Sequence, residues 1–263
     1  MPLSDTDLQD LAHAKYLLEH PGIAARIAGF AGKPIERTLA ALPAKVSAMI
    51  DEVTRRSIGK ALDVALLTMD PAKPAAPTER WHKLAAGASG AVGGAFGMAG
   101  LAVELPISTT IMLRSIADIA RSQGEDLKTA EARLECLHVL ALGGPSRVDD
   151  ATDAGYFASR TALAQAIASA SQYLAQHGAA KGSAPVLVRL VSEIASRFSI
   201  AVSEKALAQS IPVIGAIGGG AINALFIDHF QDMGRGHFTI RRLERAHGPE
   251  AVREAFYALP SRR

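Results

Sequence analysis

The sequence predicts an all-α fold, a multi-helix bundle with two central glycine-rich apolar helical segments. Ala, the strongest helix former, accounts for 50 of the 263 residues, and β-branched residues are sparse. Apolar residues recur at the three- and four-residue spacing of a helix face. The one run that is typical of a strand, 185–191, is short and continues into a helical pattern at Ile194, Phe198 and Val202.

The composition excludes several classes of protein. With 49% hydrophobic residues and a formal net charge of +2, the chain is unlike a disordered protein, which has low hydrophobicity and high charge. The single cysteine excludes a disulfide scaffold. So small a charge gives no general attraction to nucleic acid, and we expect no nucleic-acid partner. The acidic, polar start lacks the features of a signal peptide, and we therefore expect a cytoplasmic protein.

The first 70 residues are predicted to form an N-terminal helical region. A helical pattern covers residues 5–20 and ends at Pro21-Gly22, short helices are expected within 23–42, and a long helix follows over 43–69. Residues 71–78 contain three prolines, which end that helix and predict a stiff linker. The remaining part, 79–263, is then the main all-α domain.

Two segments of the main domain carry no charged residue. They cover 84–103 and 206–227, and each is long enough to cross a bilayer. Because glycine destabilises an exposed helix, we expect their glycines to allow close packing. These glycines are Gly87, Gly90, Gly93, Gly94, Gly97, Gly100, Gly215, Gly218 and Gly219. One interpretation is small-xxx-small packing in a membrane. The scarcity of large apolar residues favours the other, a buried core hairpin that rests on a membrane or partly enters it.

The same region resembles a known family. The stretches that carry the resemblance, in order along the chain, are 84–121, 136–144, 212–216, 222–226 and 237–245. Together they resemble the signature of the bacterial EcsC family over about residues 81–257, and the N-terminal helices fit it more loosely. The resemblance implies a bacterial helical protein and provides no catalytic residues. Because the family is named after a gene beside an ABC transporter operon, it also implies a role near the membrane.

Glu104 stands at an expected helix break. The following Leu105-Pro106 should end one helix and begin another, which would place the carboxylate near the N–H donors of the new helix. Glu104 is either a structural acid or part of a ligand or ion site. The restarted helix carries Arg114, Asp118, Arg121 and Glu125 on one face. We expect a solvent-exposed ladder of ion pairs, and the alternative is that Arg114 turns inward to pair with Glu104.

One motif in the middle of the chain is typical of metal ligands. Glu135 and His138 form a single Glu-x-x-His, whereas a di-iron bundle needs two copies and two further carboxylates. We therefore expect His138 to be a packed core histidine, and we predict no metal site and no cofactor. Cys136 between them has no neighbouring cation, so it is expected to be an inert core thiol.

The C-terminal part is basic. Residues 234–236 are expected to form a turn, followed by a helix over 237–246. On that helix Phe238, Arg241, Arg242 and Arg245 share one face, which makes them candidates for binding phosphate or lipid headgroups. The alternative is a solvated face on which Glu244 compensates part of the charge.

The leading hypothesis is a peripheral protein at the cytoplasmic face of the inner membrane. It would bind lipid headgroups or a membrane protein such as an ABC transporter. The alternative is an enzyme or small-ligand-binding protein with a buried polar pocket. That pocket would be formed by Glu104, Arg114, His229, His237 and Arg241. The spacing of residues identifies no catalytic group and no oligomeric state.

Overall fold

The computed structural model describes residues 3–19, 43–68, 97–142, 155–178, 184–210 and 212–260, and these confirm the all-α class. The described residues form eight helices and no strand. They are α1 (Asp5–Glu19), α2 (Ala44–Thr68), α3 (Gly97–Ser122), α4 (Ala130–Leu142), α5 (Gly155–His177), α6 (Pro185–Ser210), α7 (Pro212–His247) and α8 (Pro249–Ala258). The strand-like run 185–191 is the first part of α6.

Helices from both sides of the predicted linker share one core. α2 packs against α3 and α6, α7 packs against the same two helices, and α4 packs against α5 and α6. Their buried side chains form a cluster that includes Ile50 on α2 and Phe238 on α7. Residues 71–78 lie outside the described residues. The helices that precede this segment nevertheless pack against those that follow it.

The C-terminal half of α7 is covered by α1 and α8. Buried residues of these three helices form a second cluster: Leu11, Ala14, Ile240, Leu243, Val252 and Phe256. Buried Lys15 on α1 donates hydrogen bonds to the carbonyls of Phe256 at 3.0 Å and Leu259 at 2.7 Å. A basic side chain on the last carbonyls stabilises a helix end, so Lys15 fixes α8 against α1.

The predicted helix break at Pro106 is wrong, because α3 continues through it. Proline has no N–H, so the carbonyl of Ala102 loses its helical donor. Ala102 is exposed, and water can therefore solvate that carbonyl. The hydroxyl of Thr110 donates to the Pro106 carbonyl at 2.8 Å, which supplies a further bond across this turn.

The predicted turn at 234–236 is also wrong, because α7 is one continuous helix of 36 residues. The glycines instead lie where neighbouring helices approach α7. A Cβ atom on Gly236 would lie 2.6 Å from Leu18 Cγ and 3.0 Å from the carbonyl oxygen of Ala14, both on α1. A Cβ atom on Gly234 would lie 3.6 Å from Ile116 Cγ1 on α3. Glycine at 236 thus allows α1 to pack closely on α7.

The two uncharged segments are described in part. Gly87, Gly90, Gly93 and Gly94 lie outside the described residues. Gly97 and Gly100 belong to the start of α3, and Gly215, Gly218 and Gly219 belong to the start of α7. Within the described residues, Gly100–Ser122 is long and apolar enough to cross a membrane, and 61% of its most apolar window is buried, as in the core helix of a soluble protein.

Candidate functional site

Two histidines and a glutamate meet in the interior of the protein. Glu135 and His138 lie three residues apart on α4 and so share a face, and His237 comes from α7. Glu135 Oε2 lies 3.0 Å from His138 Nδ1 and 3.0 Å from His237 Nε2. All three residues are buried. We call Glu135, His138 and His237 the His–Glu–His cluster.

Tyr156, at the start of α5, fixes His237 from the other side. Its hydroxyl lies 3.0 Å from His237 Nδ1, so both ring nitrogens of His237 have partners. The phenol ring packs against Phe157 and Phe256, with ring centroids 5.0 and 6.2 Å away. The orientation of the His237 ring is therefore set by a carboxylate on one edge and a packed tyrosine on the other.

Arg241 lies one turn after His237 and binds three carboxylates. Its Nε atom lies 2.9 Å from Glu125, and its two terminal nitrogens each lie 3.3 Å from a further carboxylate, that of Glu131 and that of Glu135. The contact to Glu135 is made to Oε1. Arg241 thus holds one oxygen of Glu135, while the other oxygen faces the two histidines.

Burial and hydrogen bonds set the protonation of the site. Burial raises the pKa of Glu135, but the hydrogen bonds from His138 and His237 outweigh it, and the pKa lies well below its ordinary value. Burial lowers the pKa of His237 to about 4, against the opposing effect of Glu135. Burial also raises the pKa of Tyr156. At neutral pH the site therefore contains an ionised carboxylate, a neutral His237 and a protonated phenol.

One polar atom of the site is unsatisfied. Among the described residues, His138 Nε2 is buried and has no hydrogen-bond partner. Leaving such an atom unpaired costs about 1–3 kcal/mol. The His138 ring packs edge-on against His237, with centroids 5.3 Å apart. Two imidazoles and one carboxylate that converge in a buried position are suited to binding a cation or to holding a proton.

The predicted polar pocket is formed only in part. Of its five residues, His237 and Arg241 lie together, both beside Glu135. Arg114 is exposed on α3. His229 is buried, but it lies eight residues before His237 on α7, about 12 Å along the helix axis. These positions depend on helix packing, which residue spacing alone does not give.

Glu104, the fifth residue, forms a buried ion pair that was not predicted. Lys205 Nζ on α6 lies 2.8 Å from both carboxylate oxygens of Glu104 and 2.7 Å from Asn223 Oδ1. It also lies 4.6 Å from the centroid of the Phe226 ring. Burial lowers the pKa of Lys205, and the pairing with Glu104 opposes this. Because Arg114 is exposed and Lys205 is the partner of Glu104, the alternative in which Arg114 turns inward to Glu104 is wrong.

Other ion pairs differ from the predicted ladder. Asp118 and Arg121 are paired at 2.7 Å, in keeping with their spacing on α3. Glu125, at the end of the predicted ladder, instead accepts hydrogen bonds from Arg241 on α7. The tertiary contact thus takes the place of the last pair along the helix.

The arginines of the predicted basic face of α7 pair with carboxylates of the protein. Phe238 is fully buried. Arg242 pairs with Asp10 of α1 at 2.6 Å, and Arg245 pairs with Glu125. Together with Arg241, these guanidinium groups bind carboxylates of neighbouring segments. The sequence shows the basic spacing but not these acidic partners.

Glu244, expected to balance the arginines beside it, binds elsewhere. Its two carboxylate oxygens each accept a hydrogen bond of 2.7 Å from Arg160 on α5. This two-point contact joins α5 to α7 close to Tyr156 and His237. It helps to fix the helix that carries Tyr156.

Sequence reasoning did not identify Glu135 and Tyr156 as site residues. The Glu-x-x-His motif was visible, but His237 follows Glu135 by 102 residues on another helix, and no periodicity connects them. Cys136 is a buried thiol, and burial raises its pKa, as expected of an inert residue. The Glu-x-x-His motif therefore gave only two of the three cluster residues, because the third, His237, comes from α7.

Comparison with known proteins gives a family match. The model of the EcsC protein family matches residues 6–243, which include all three residues of the His–Glu–His cluster. No curated protein and no solved structure gives a significant match.

Proposed function

The chain belongs to the EcsC protein family, and we propose that it is a peripheral membrane protein in which the N-terminal end of α3 meets the lipid. The observation that carries this proposal is an exposed apolar face. Val103 and Ile107 are 68% and 43% exposed, and as residues four apart on a helix they lie on the same face. Ala102 beside them is also exposed. In the sequence, Ala102 and Val103 are the last two residues of the uncharged segment 84–103.

The charge distribution along α3 supports the proposal. Glu104 is turned inward and neutralised by Lys205. From Gly100 onward, the first exposed charged residue of α3 is Arg114, about 16 Å beyond Val103. An interfacial segment needs an apolar depth of about 5–10 Å. The outer face of this helix end meets that requirement.

The sequence before the uncharged segment supplies residues suited to a lipid interface. The uncharged segment is directly preceded by Arg80, Trp81, His82 and Lys83. Trp81 is the single tryptophan of the chain. Tryptophan is enriched at the membrane–water boundary, and basic residues gain about 1 kcal/mol each on anionic membranes. With this composition, the basic residues Arg80 and Lys83 would contact lipid headgroups while the uncharged segment 84–103 enters the lipid.

The arginines of α7 are not the residues that bind lipid headgroups in this arrangement, because they have carboxylate partners within the protein. Arg241 and Arg242 bind Glu125 and Asp10, so charge reversal there would remove these ion pairs as well as any lipid contact. A decisive variant must change the apolar face of α3 instead.

Vesicle flotation tests the proposal. The full chain is mixed with vesicles of phosphatidylethanolamine and anionic phosphatidylglycerol, and a Val103→Asp/Ile107→Asp variant is compared with wild type. Removing two apolar contacts should weaken vesicle binding about 100-fold or more. The matched control is Leu67→Asp/Val188→Asp, since these side chains are 70% and 48% exposed on α2 and α6.

The results separate lipid from protein partners. Flotation of wild type and of the control, with loss in the α3 variant, supports the proposal. Equal flotation of all three proteins contradicts it. If wild type fails to float yet sediments with native membranes, and the α3 variant does not sediment, the apolar face binds a membrane protein, such as a transporter, and the proposal of direct binding to these lipids is overturned.

A second candidate function is ligand binding or catalysis in the interior. The His–Glu–His cluster favours it, because buried histidines and a carboxylate converge there.

A further inference from the structure

We propose that the His–Glu–His cluster binds a divalent transition-metal ion of the Zn²⁺ or Fe²⁺ class. The ligand atoms are Glu135 Oε2, His138 Nδ1 and His237 Nε2. This site lies in the interior, between α4 and α7, and the proposal is independent of membrane binding.

The geometry fits a metal ion of this size. The three ligand atoms lie within 4.8 Å of one another. Metal–ligand bonds of about 2.0–2.2 Å place adjacent ligand atoms about 2.8–3.6 Å apart at octahedral or tetrahedral angles. Both oxygen–nitrogen separations, from Glu135 to His138 and from Glu135 to His237, are 3.0 Å. The two histidine nitrogens lie within 4.8 Å of each other, so their side chains would have to rotate inward to complete the coordination of an ion.

The donor set identifies the class of metal. Imidazole nitrogens suit Zn²⁺ and Fe²⁺, whereas Mg²⁺ and Ca²⁺ prefer oxygen ligands. Two histidines and one carboxylate leave at least one coordination position open, as in catalytic metal sites. A site with a single ion needs only one Glu-x-x-His, because His237 on α7 supplies the third ligand.

The surroundings orient two of the three ligands, His237 and Glu135, as they do in known metal sites. Tyr156 lies on the second ring nitrogen of His237, and Arg241 lies on the second oxygen of Glu135. Such outer contacts fix the tautomer of a ligating histidine and the rotation of its ring. With metal on Nε2, His237 must carry its proton on Nδ1 and donate it to the Tyr156 oxygen. Without metal, Nε2–H donates to Glu135.

Burial determines how the site would be loaded. The three ligand residues are at most 7% exposed, so a metal ion would exchange slowly with the folded protein. The experiment therefore unfolds the full chain with a chelator and refolds it with Zn²⁺ or Co²⁺ alone. After desalting, bound metal is counted by mass spectrometry, and Co²⁺ is also followed by its visible absorption.

The expected result is about one equivalent of retained metal per chain. Glu135→Gln keeps the size of the side chain and should abolish retention. Tyr156→Phe, which removes only the outer contact, should weaken binding about 10- to 100-fold. His177→Asn changes an exposed histidine of α5 and should retain metal like wild type. Circular dichroism checks that each variant is folded.

Two outcomes would overturn the proposal. One is a folded wild-type chain that retains neither ion after refolding. The other is equal retention by Glu135→Gln and wild type. If a variant fails to fold, ¹⁵N spectra of wild type decide: Zn²⁺ should move the His237 proton from Nε2 to Nδ1, and an unchanged tautomer excludes His237 as a ligand.

Discussion

Lys205 Nζ lies 2.8 Å from both carboxylate oxygens of Glu104, and the two side chains are 0% and 2% exposed. The pair joins α6 to α3, and Asn223 of α7 accepts the third hydrogen bond of the ammonium group at 2.7 Å. All three N–H groups of Lys205 are therefore used. Since neither charge reaches water, each depends on the other for compensation.

Removing one member of this pair should be strongly destabilising. Lys205→Met leaves the Glu104 carboxylate buried without its counter-charge, and we expect a loss of about 3–5 kcal/mol in the free energy of unfolding. Urea denaturation followed by circular dichroism measures it. The control is Arg189→Met, which breaks an exposed pair with Glu193 on the same helix and should cost at most about 1 kcal/mol.

The double variant Glu104→Gln/Lys205→Met adds a second check. It removes both charges and should recover much of the lost stability, because burying two neutral side chains avoids an uncompensated charge. A Lys205→Met chain as stable as Arg189→Met would show that the pair is not buried.

Two glycines of α7 should respond differently to substitution by alanine. At position 236 the new methyl group would lie 2.6 Å from Leu18 Cγ and 3.0 Å from a backbone oxygen of α1, and this overlap should cost about 1–3 kcal/mol. At position 234 the nearest atom would be 3.6 Å away. Gly234→Ala should then stabilise the helix by up to about 1 kcal/mol.

Thermal unfolding midpoints of the two alanine variants measure this difference in stability. The midpoint should be lower than that of wild type for Gly236→Ala and higher for Gly234→Ala. Equal midpoints for Gly236→Ala and Gly234→Ala would contradict the close approach of α1 to α7.

The metal-free protein should lose stability in weak acid because of His237. Its pKa is about 4 in the folded protein, against an ordinary value of 6.5. Above pH 6.5 both states carry a neutral ring and His237 adds no pH dependence. As pH falls from 6.5 to 4, the unfolded chain binds a proton that the folded chain does not. The free energy of unfolding should therefore fall, by about 3 kcal/mol in total.

The groups that face His237 are Glu135 and His138 on α4 and Tyr156 and Arg160 on α5. The pKa of Glu135 is also lowered on folding. Ionised Glu135 therefore also stabilises the folded protein less as the pH falls, but this loss begins only near its ordinary pKa of 4.5.

Urea titrations between about pH 7.5 and 5 measure this loss of stability. His237→Gln should flatten the dependence over this range. His177→Gln, at an exposed position, should leave it as in wild type, and a flat wild-type profile would contradict the prediction.

Continuity of α3 through Pro106 leads to a further prediction. Pro106→Ala restores an N–H donor to the Ala102 carbonyl and removes the clash of the proline ring, so it should stabilise the protein by up to about 3 kcal/mol. Because Ala102 is exposed, water already solvates its carbonyl, and this reduces the gain in stability from the new hydrogen bond. Thermal unfolding tests this, and a lower midpoint in the variant would contradict it.

The sequence by itself determined the fold class and several helix boundaries. It predicted helices over 5–20 and 43–69, and the structure has them at Asp5–Glu19 and Ala44–Thr68. These features follow from helix propensity and apolar spacing, which act between neighbours in the chain. The same local rules predict that proline and glycine interrupt a helix. The breaks predicted at Pro106 and at 234–236 are wrong, because both helices continue through these positions.

Only the tertiary structure decided the partners of the polar residues. Glu104 binds Lys205, and His237 meets Glu135 from another helix, 102 residues along the chain. The physical reason is that buried charges and imidazoles must find partners inside the fold, and helix packing chooses these partners without regard to distance in sequence. Helix packing thus brought the single Glu-x-x-His motif together with a third side chain that can bind metal.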